Sequence, residues 1–365
     1  GLVGSEMCIR DRHSGLPGSV VKPVCGLRYL AFVLLVLQVC ACTDRAPALL
    51  EISGMTMGTG YRIKLAGLPG ELQEQALATQ IEHTLERINK QMSTWDDQSE
   101  LSRFNAGTTT GWVDVSAELA AVVTAALQAG ELTSGAFDIT VAPLVDLWGF
   151  GPAERRDRVP SAAEIAAATA RIGYTRVSVR GSPPAIRKDS PELHIDLSAI
   201  AKGYAVDRVA ALLDSRGVTN YLVDIGGELR GRGHNPAGEP WRIGIEQPSS
   251  RQRTVHTVIT LDDSGVATSG DYRNYFETGG VRYSHTIDPR TGRPVTHRLA
   301  SVTVIGDSTA AADALATGLL VLGPEAGYRL AEREGVAAWF IIRTDDGFID
   351  RQTPAFGRHR DNRRS

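Results

Sequence analysis

Apolar and polar residues alternate in Leu193-His194-Ile195-Asp196-Leu197, the spacing of a half-buried strand. From about Ser198 the apolar positions take a helical spacing, Ile200, Val206, Val209, Leu212 and Leu213, up to Gly217. The pattern predicts a strand running straight into a helix. Such a junction gathers backbone groups, the Asp196 carboxylate and the Lys202 ammonium toward one spot, which suits a ligand carrying phosphates and a metal. Taken alone, the same residues are read more simply as a buried corner with one surface lysine.

The same two periods recur on either side. Residues 55–65 alternate, with Tyr61, Ile63 and Leu65 on one face and glycines that let a neighbour or ligand come close. Ile81, Leu85, Ile88 and Met92 are the core stripe of a helix beginning near Gly70; Leu119, Val122, Val123, Ala126 and Leu127 form a second stripe that stops at Ser134-Gly135. Residues 92–105 are polar around Trp95 and read as a loop with a helical turn. Ser161-Ala162-Ala163-Glu164 is a capping box opening a helix that closes at Gly173. Tyr221-Leu222-Val223-Asp224-Ile225 is an apolar strand entering a turn at Gly226-Gly227-Glu228. Trp241, Ile243 and Ile245 alternate, as do Val255, Thr257, Ile259 and Leu261, in the manner of antiparallel strands. Residues 300–305 and 336–342 are strands flanking helices that break at Gly323-Pro324, and the polar runs 267–273 and 283–295 fall between strands. Strands in hairpins with helices between them predict an α+β fold of mainly antiparallel sheets with packed helices.

Composition changes the picture mostly at the N-terminus. A formal charge of -3 offers no basic field for nucleic acid. Cys8, Cys25, Cys40 and Cys42 all precede residue 43, so the body holds no thiol for disulfides, zinc or nucleophilic catalysis. Lys22 and Arg28 precede a mostly aliphatic run, residues 29–39, and then Val39-Cys40-Ala41-Cys42. A membrane-spanning helix needs roughly 20 apolar residues, so this is the charged start and short core of a secretory signal. Its last four residues resemble a bacterial lipobox with Cys42 as the lipidated first residue; a plain cleaved signal or an uncleaved anchor also fits the run. Residues 1–12 have no place in such a signal and read as translated adapter sequence. The expected organisation is therefore adapter remnant plus lipoprotein signal peptide over 1–42, a tether over 43–50, one domain over 51–350, and an arginine-rich disordered tail over 351–365 with no nucleic-acid role. The protein is expected in the bacterial cell envelope, lipid-anchored to a membrane and facing the periplasm or exterior.

The sequence contains no His-Glu-x-x-His, no Gly-x-Ser-x-Gly elbow, no Walker loop and no Gly-x-Gly-x-x-Gly after a strand. What remains is rich in oxygen: Asp313 with Thr317 one helical turn on, carbonyls at Ser198-Ala199, Asp196, and Asp138 embedded in an apolar run where it needs a partner. Hard oxygen donors without a soft ligand favour Mg²⁺ over zinc or copper. By themselves Asp313 and Thr317 also fit an ordinary hydrogen-bonded helix face.

Together these runs resemble the ApbE family, the FAD:protein FMN transferases. Thr56-Met57-Gly58-Thr59, Met92-Ser93-Thr94-Trp95, Gly135-Ala136-Phe137-Asp138, residues 196–204, Asp224-Ile225-Gly226-Gly227-Glu228, Ala267-Thr268-Ser269-Gly270, His285-Thr286-Ile287-Asp288-Pro289 and residues 312–317 follow in the family's order. The resemblance implies that FAD meets Met57, Trp95, Ala136, Phe137, Asp138, Asp196, Lys202 and Ile287. It implies Mg²⁺ on Asp313, Thr317 and the Ala199 carbonyl. Some members have an acid where this chain has Ala316, so water or phosphate takes one ligand position. The implied reaction is attack by an acceptor's threonine or serine hydroxyl on the FMN phosphorus of FAD, expelling AMP. Lys202 is expected to neutralise phosphate oxygens. His285 is the expected base, because an imidazole titrates near working pH; the other reading is that it only positions flavin. The implied partner is a subunit of a membrane redox complex. An FAD pyrophosphatase and a non-catalytic flavin-binding lipoprotein are the alternatives.

Overall fold

The computed structural model describes residues 48–70, 72–151, 158–248, 254–272 and 274–359. All four cysteines, the signal-like run and the expected lipidation of Cys42 lie outside them. In the first half the chain forms β1 (Leu49–Thr56), β2 (Thr59–Ala66), α1 (Glu74–Met92), α2 (Glu100–Ala106), β3 (Val113–Asp114), α3 (Ala117–Leu132), α4 (Ala142–Leu147), α5 (Ala162–Thr169), β4 (Val177–Gly181), β5 (Pro184–Lys188) and α6 (Ala201–Ser215). It continues with β6 (Tyr221–Ile225), β7 (Glu228–Arg232), β8 (Trp241–Glu246), β9 (Val255–Leu261), β10 (Ser264–Gly270), β11 (Tyr275–Thr278) and β12 (Val281–Ser284). The last elements are β13 (Ile287–Asp288), β14 (Arg293–Pro294), β15 (Leu299–Gly306), α7 (Thr309–Arg333), β16 (Ala337–Thr344), β17 (Gly347–Gln352) and a 3₁₀ turn, Pro354–His359.

Eight strands make one sheet in the order β1-β2-β6-β7-β10-β15-β16-β17, with every neighbouring pair antiparallel. The period-two pattern decides what each face meets. Ile63, Leu65, Val223 and Ile225 pack under α1, α3 and α6, and Ala267, Val304, Ala338 and Phe340 under α7. The intervening residues Leu222, Val266, Ile305, Trp339 and Ile341 face the other way, onto the β8–β9 hairpin through Trp241, Ile245, Ile259 and Leu261. The fold is α+β, as the sequence predicts.

Three expectations are corrected. Residues 193–197 are extended but join no sheet, and the helix begins at Ala201. The alternation is real, since Leu193, Ile195 and Leu197 are fully buried. At its centre, however, the backbone partner is a side chain: Asn105 Nδ2 donates to Ile195 O and Ile195 N–H donates to Asn105 Oδ1, both at 2.8 Å. The polar run from 267 is not a connection, because residues 267–270 belong to β10 in the middle of the sheet. Nor does disorder begin at 351. The 3₁₀ turn drops Phe356 into the core against Trp339, ring centroids 5.1 Å apart. Within the arginine-rich tail, residues 351–359 are ordered around this buried aromatic anchor.

The Gly323-Pro324 break appears as predicted. Gly323 adopts φ 83° inside α7, and Pro324 has no N–H to continue the ladder.

Candidate active site

The first turn of α6 lies against α7, and three features hold the two helices in fixed register. Asp207 Oδ2 accepts from Ser308 Oγ at 2.9 Å and Ala310 N–H at 3.0 Å, and its Oδ1 accepts from Thr309 N–H at 2.9 Å, so one helix supplies the N-terminal cap of the other. Gly203 lets them touch: a Cβ there would sit 2.4 Å from Thr309 O. Its N–H then donates to Asp313 Oδ2 at 3.1 Å.

Lys202 is placed by the same contact. Its Nζ lies 3.0 Å from Glu228 Oε1 and 3.8 Å from Asp313 Oδ2. Glu228 opens β7 just after the Gly226–Gly227 turn, where Gly226 at φ 66° makes room for the lysine stem; a Cβ would sit 3.2 Å from Lys202 Cδ. The sequence reading did not single out Glu228, because a glycine-glycine turn followed by a charge resembles any surface hairpin. Burial is what distinguishes it, with Glu228 4% and Asp313 4% exposed.

Two buried carboxylates share one ammonium, and the titration shifts reflect that imbalance. Burial pushes Asp313 up, against the pull of Lys202 and the Gly203 N–H. Burial and then repulsion from Asp313 push Glu228 up to about 7, against Lys202. Burial by itself would lower Lys202, but Asp313 and then Glu228 outweigh it and hold the ammonium above its ordinary value. Glu228 Oε2 is buried with no hydrogen-bond partner. Surplus negative charge and an orphaned carboxylate oxygen suit a cation with hard oxygen preferences. One turn beyond Asp313, Thr317 Oγ1 pairs with Ser269 Oγ of β10 at 2.9 Å, and Ala199 sits in the turn leading into α6. Among the described residues no group of three or more His, Cys, Asp or Glu could hold a metal. An ion here must therefore draw on hydroxyl and carbonyl oxygens and on oxygens brought by substrate or solvent.

The remaining predicted residues lie on other segments of the chain. Met57 occupies the first turn position of the β1–β2 hairpin at φ 48°, with Gly58 at φ 70°. Trp95 is 79% exposed on a loop pinned by Ser93, whose Oγ accepts the Trp95 and Asp96 N–H groups, both at 3.1 Å. Ala136 and Phe137 are buried, so a ligand meets their backbone rather than their side chains. The Asp138 carboxylate is already engaged: Oδ1 accepts from Thr140 N–H at 2.7 Å and Thr140 Oγ1 at 2.6 Å, and Oδ2 from Tyr174 N–H at 3.0 Å. These bonds satisfy the partner that its apolar surroundings demand. Ile139 O accepts the Asp196 N–H at 2.7 Å, joining the 136–140 run to the segment before α6. Asp196 itself is half-buried, its Oδ1 accepting from Ser198 N–H at 2.8 Å. It faces Asp146 of α4, another residue the sequence reading missed, whose carboxyl is raised by burial and then by Asp196.

His285 follows β12. Its N–H donates to Asn274 O at 3.1 Å, and its ring Nδ1 lies 3.0 Å from the same oxygen. A carbonyl can only accept, so Nδ1 carries the proton and Nε2 presents its lone pair. Burial pushes the imidazole below its ordinary value, opposed by the Asn274 carbonyl and the Asp271 charge. Ile287 lies in the small core of Trp148, Leu144 and Phe276 nearby. Strand β10 and its end connect the two centres, since Ser269 reaches Thr317 and Asp271 bears on His285. Two surface cavities, about 580 Å³ beside Gln128 and Tyr174 and about 420 Å³ beside Asn220 and His234, include none of the predicted residues in their walls.

A model of the ApbE family matches residues 57–340, a span that takes in all of these side chains. The chain belongs to the ApbE family. It is 50% identical over 306 residues to an FAD:protein FMN transferase of Vibrio cholerae, covering 84% of this chain and 91% of that one. To the FAD:protein FMN transferase of Escherichia coli K12 it is 41% identical over 307 residues, covering 84% and 87%. Among solved structures, the flavin transferase ApbE from Vibrio cholerae superposes with a TM-score of 0.80 at 47% identity, over 86% of this chain and 99% of that one. The apo flavinyl transferase ApbE of Pseudomonas stutzeri gives 0.79 at 44% identity, over 86% and 96%.

Proposed function

We propose that the protein transfers FMN from FAD to a threonine or serine hydroxyl of an acceptor protein and releases AMP, in a Mg²⁺-dependent reaction. The observation that carries this reading is the buried cluster of Lys202, Glu228 and Asp313, with its excess of negative charge beside the Thr317 hydroxyl. Asp313, Thr317 and the Ala199 carbonyl would hold the ion, which when bound supplies charge neutralisation for phosphate oxygens.

The chain's own groups do the rest. Lys202 keeps its proton because two carboxylates hold it, so a permanent cation faces the pyrophosphate. The acceptor hydroxyl oxygen forms a bond to the FMN phosphorus as the bond from that phosphorus to the AMP oxygen breaks. The hydroxyl proton goes to Nε2 of His285, which burial keeps neutral and the Asn274 carbonyl keeps correctly turned. Trp95 offers an exposed aromatic face for stacking by the ligand's rings.

The lipobox-like run supports a protein tethered through Cys42 in the bacterial envelope, facing the periplasm or exterior, with a membrane redox subunit as acceptor. Among the described residues no helix is long and apolar enough to cross a membrane.

Incubation with FAD, Mg²⁺ and candidate acceptors should give AMP and a fluorescent, covalently flavinylated band in equal amounts. Free FMN formed at the same rate with every acceptor would make the protein a pyrophosphatase. FAD binding without AMP release would make it a carrier.

A further inference from the structure

The β11–β12 hairpin that carries His285 pairs with no third strand among the described residues. On one side it rests on aromatic packing, Tyr283 against Trp148 at 5.5 Å, with Phe276 stacked on Tyr283 across the hairpin at 5.1 Å. A polar chain leads from it back to the sheet. Arg282 of β12 donates from Nη2 to the Asp271 carbonyl at 2.9 Å. Asp271 N–H donates to Ala300 O at 3.1 Å, fixing that residue to the start of β15. The Asp271 carboxylate, 6% exposed, is gripped at both oxygens by Arg343 of β16: Nη1 donates to Oδ2 at 3.0 Å and Nη2 to Oδ1. Arg343 is tied down in turn, its N–H donating to Arg298 O at 2.8 Å.

We propose that Arg343 is a positioning residue for His285, acting through Asp271: its two-pronged grip anchors the hairpin that bears the imidazole and offsets the Asp271 charge. The proposal rests on the reading of His285 as the base. A bidentate guanidinium–carboxylate pair fixes both distance and orientation, which a point charge does not. It also sets the field at the imidazole. Among the described residues Asp271 is a charged side chain that bears on the ring, and it favours the imidazolium. Among the described residues the ring also meets Phe150, edge-on at 6.3 Å, and the Asn274 carbonyl. On its own strand, Arg282 directs its guanidinium to the Asp271 carbonyl and over the Tyr275 ring. With Arg343 in place the Asp271 charge is offset in part, and burial holds His285 as a neutral acceptor. Without it the bare carboxylate would favour the imidazolium more strongly.

The test is a proton titration by NMR of the mature chain labelled at the histidine ring carbons, with the His285 signal identified by its loss in His285→Ala. Arg343→Gln should raise the His285 midpoint by about half a pH unit, Asp271→Asn should lower it, and the double variant should return it to the wild-type value or below. Arg343→Lys, which keeps the charge but loses the fork, should leave the midpoint near wild type while transfer slows. The acid limb of FMN transfer, measured on the acceptor found by in-gel fluorescence, should move with the midpoint.

A midpoint unmoved by Arg343→Gln, or moved equally by Arg343→Lys, overturns the proposal. If Arg343→Gln does not fold, Asp271→Asn and Arg343→Lys still decide it, and an unmoved midpoint in Asp271→Asn counts against it. Persistence of the acid limb in His285→Ala would refute the base reading itself. Loss of that limb together with an unmoved midpoint in Arg343→Gln would refute only the role of Arg343.

Discussion

Asp313 is the only charged side chain among the expected metal ligands, and it also helps keep Lys202 protonated. Asp313→Ala therefore removes two functions at once and should lower transfer by ~10³-fold or more. Thr317→Val deletes a neutral hydroxyl whose place water can take and should cost ~10-fold. Both rates are read at limiting Mg²⁺; near-normal turnover of Asp313→Ala there would mean the ion binds elsewhere. His285→Ala should slow transfer by ~10²-fold with little change in FAD affinity. Because burial holds the folded imidazole below 6.5, the proposed base stays neutral at pH 7 and the acid limb of the rate profile should lie below that value. The sign for stability is the same. The unfolded chain takes up the proton more readily, so this residue makes folding less favourable as pH falls below 6.5, and denaturant midpoints in His285→Ala should lose that part of the acid dependence.

At the scale of elements, the site is the meeting of α6 and α7, and Gly203 is the residue that permits the meeting. Gly203→Ala puts a methyl 2.4 Å from a backbone carbonyl oxygen that has no rotamer by which to move away. Overpacking of that kind costs about 1–3 kcal/mol. It should also pull Asp313 from the Gly203 N–H, so urea denaturation and the Mg²⁺ requirement of transfer should worsen together. An unchanged urea midpoint would show that the helices separate freely. What sequence could show follows from the same geometry. Periodicity found α3, the capping box at Ser161, the β8–β9 hairpin and the break at Gly323, because in each a local rule and the tertiary fold agree. Residues 193–197 deceived it, since alternation reports burial on one side and not the identity of the hydrogen-bonding partner, here the Asn105 amide. The ordered runs of the family named Lys202 and Asp313. Glu228 and Asp207 stayed hidden because a charge after a turn, or mid-helix, carries no local mark of being buried against another element.

Across the whole molecule the sheet separates two jobs. Its α6–α7 face holds the charged cluster, and its other face packs the β8–β9 hairpin and Phe356. Phe356→Ala should lower stability by about 3–5 kcal/mol while leaving turnover per folded molecule unchanged, a contrast that thermal melting and active-site titration resolve. The proposed tether would concern where the folded body works. One acyl chain holds a protein on a bilayer only marginally, whereas two or three do so firmly. A diacyl or triacyl Cys42 would thus confine the enzyme to the membrane carrying its acceptor and raise the effective concentration of one for the other. Mass spectrometry of membrane fractions should find that modification. Cys42→Ala should release the protein to the soluble envelope fraction and slow flavinylation of a membrane-embedded acceptor, yet leave transfer to the same acceptor in detergent unaltered. An unmodified, soluble wild-type product cut at another position would defeat the tether, and loss of activity in detergent would mean the N-terminal segment contributes to catalysis itself.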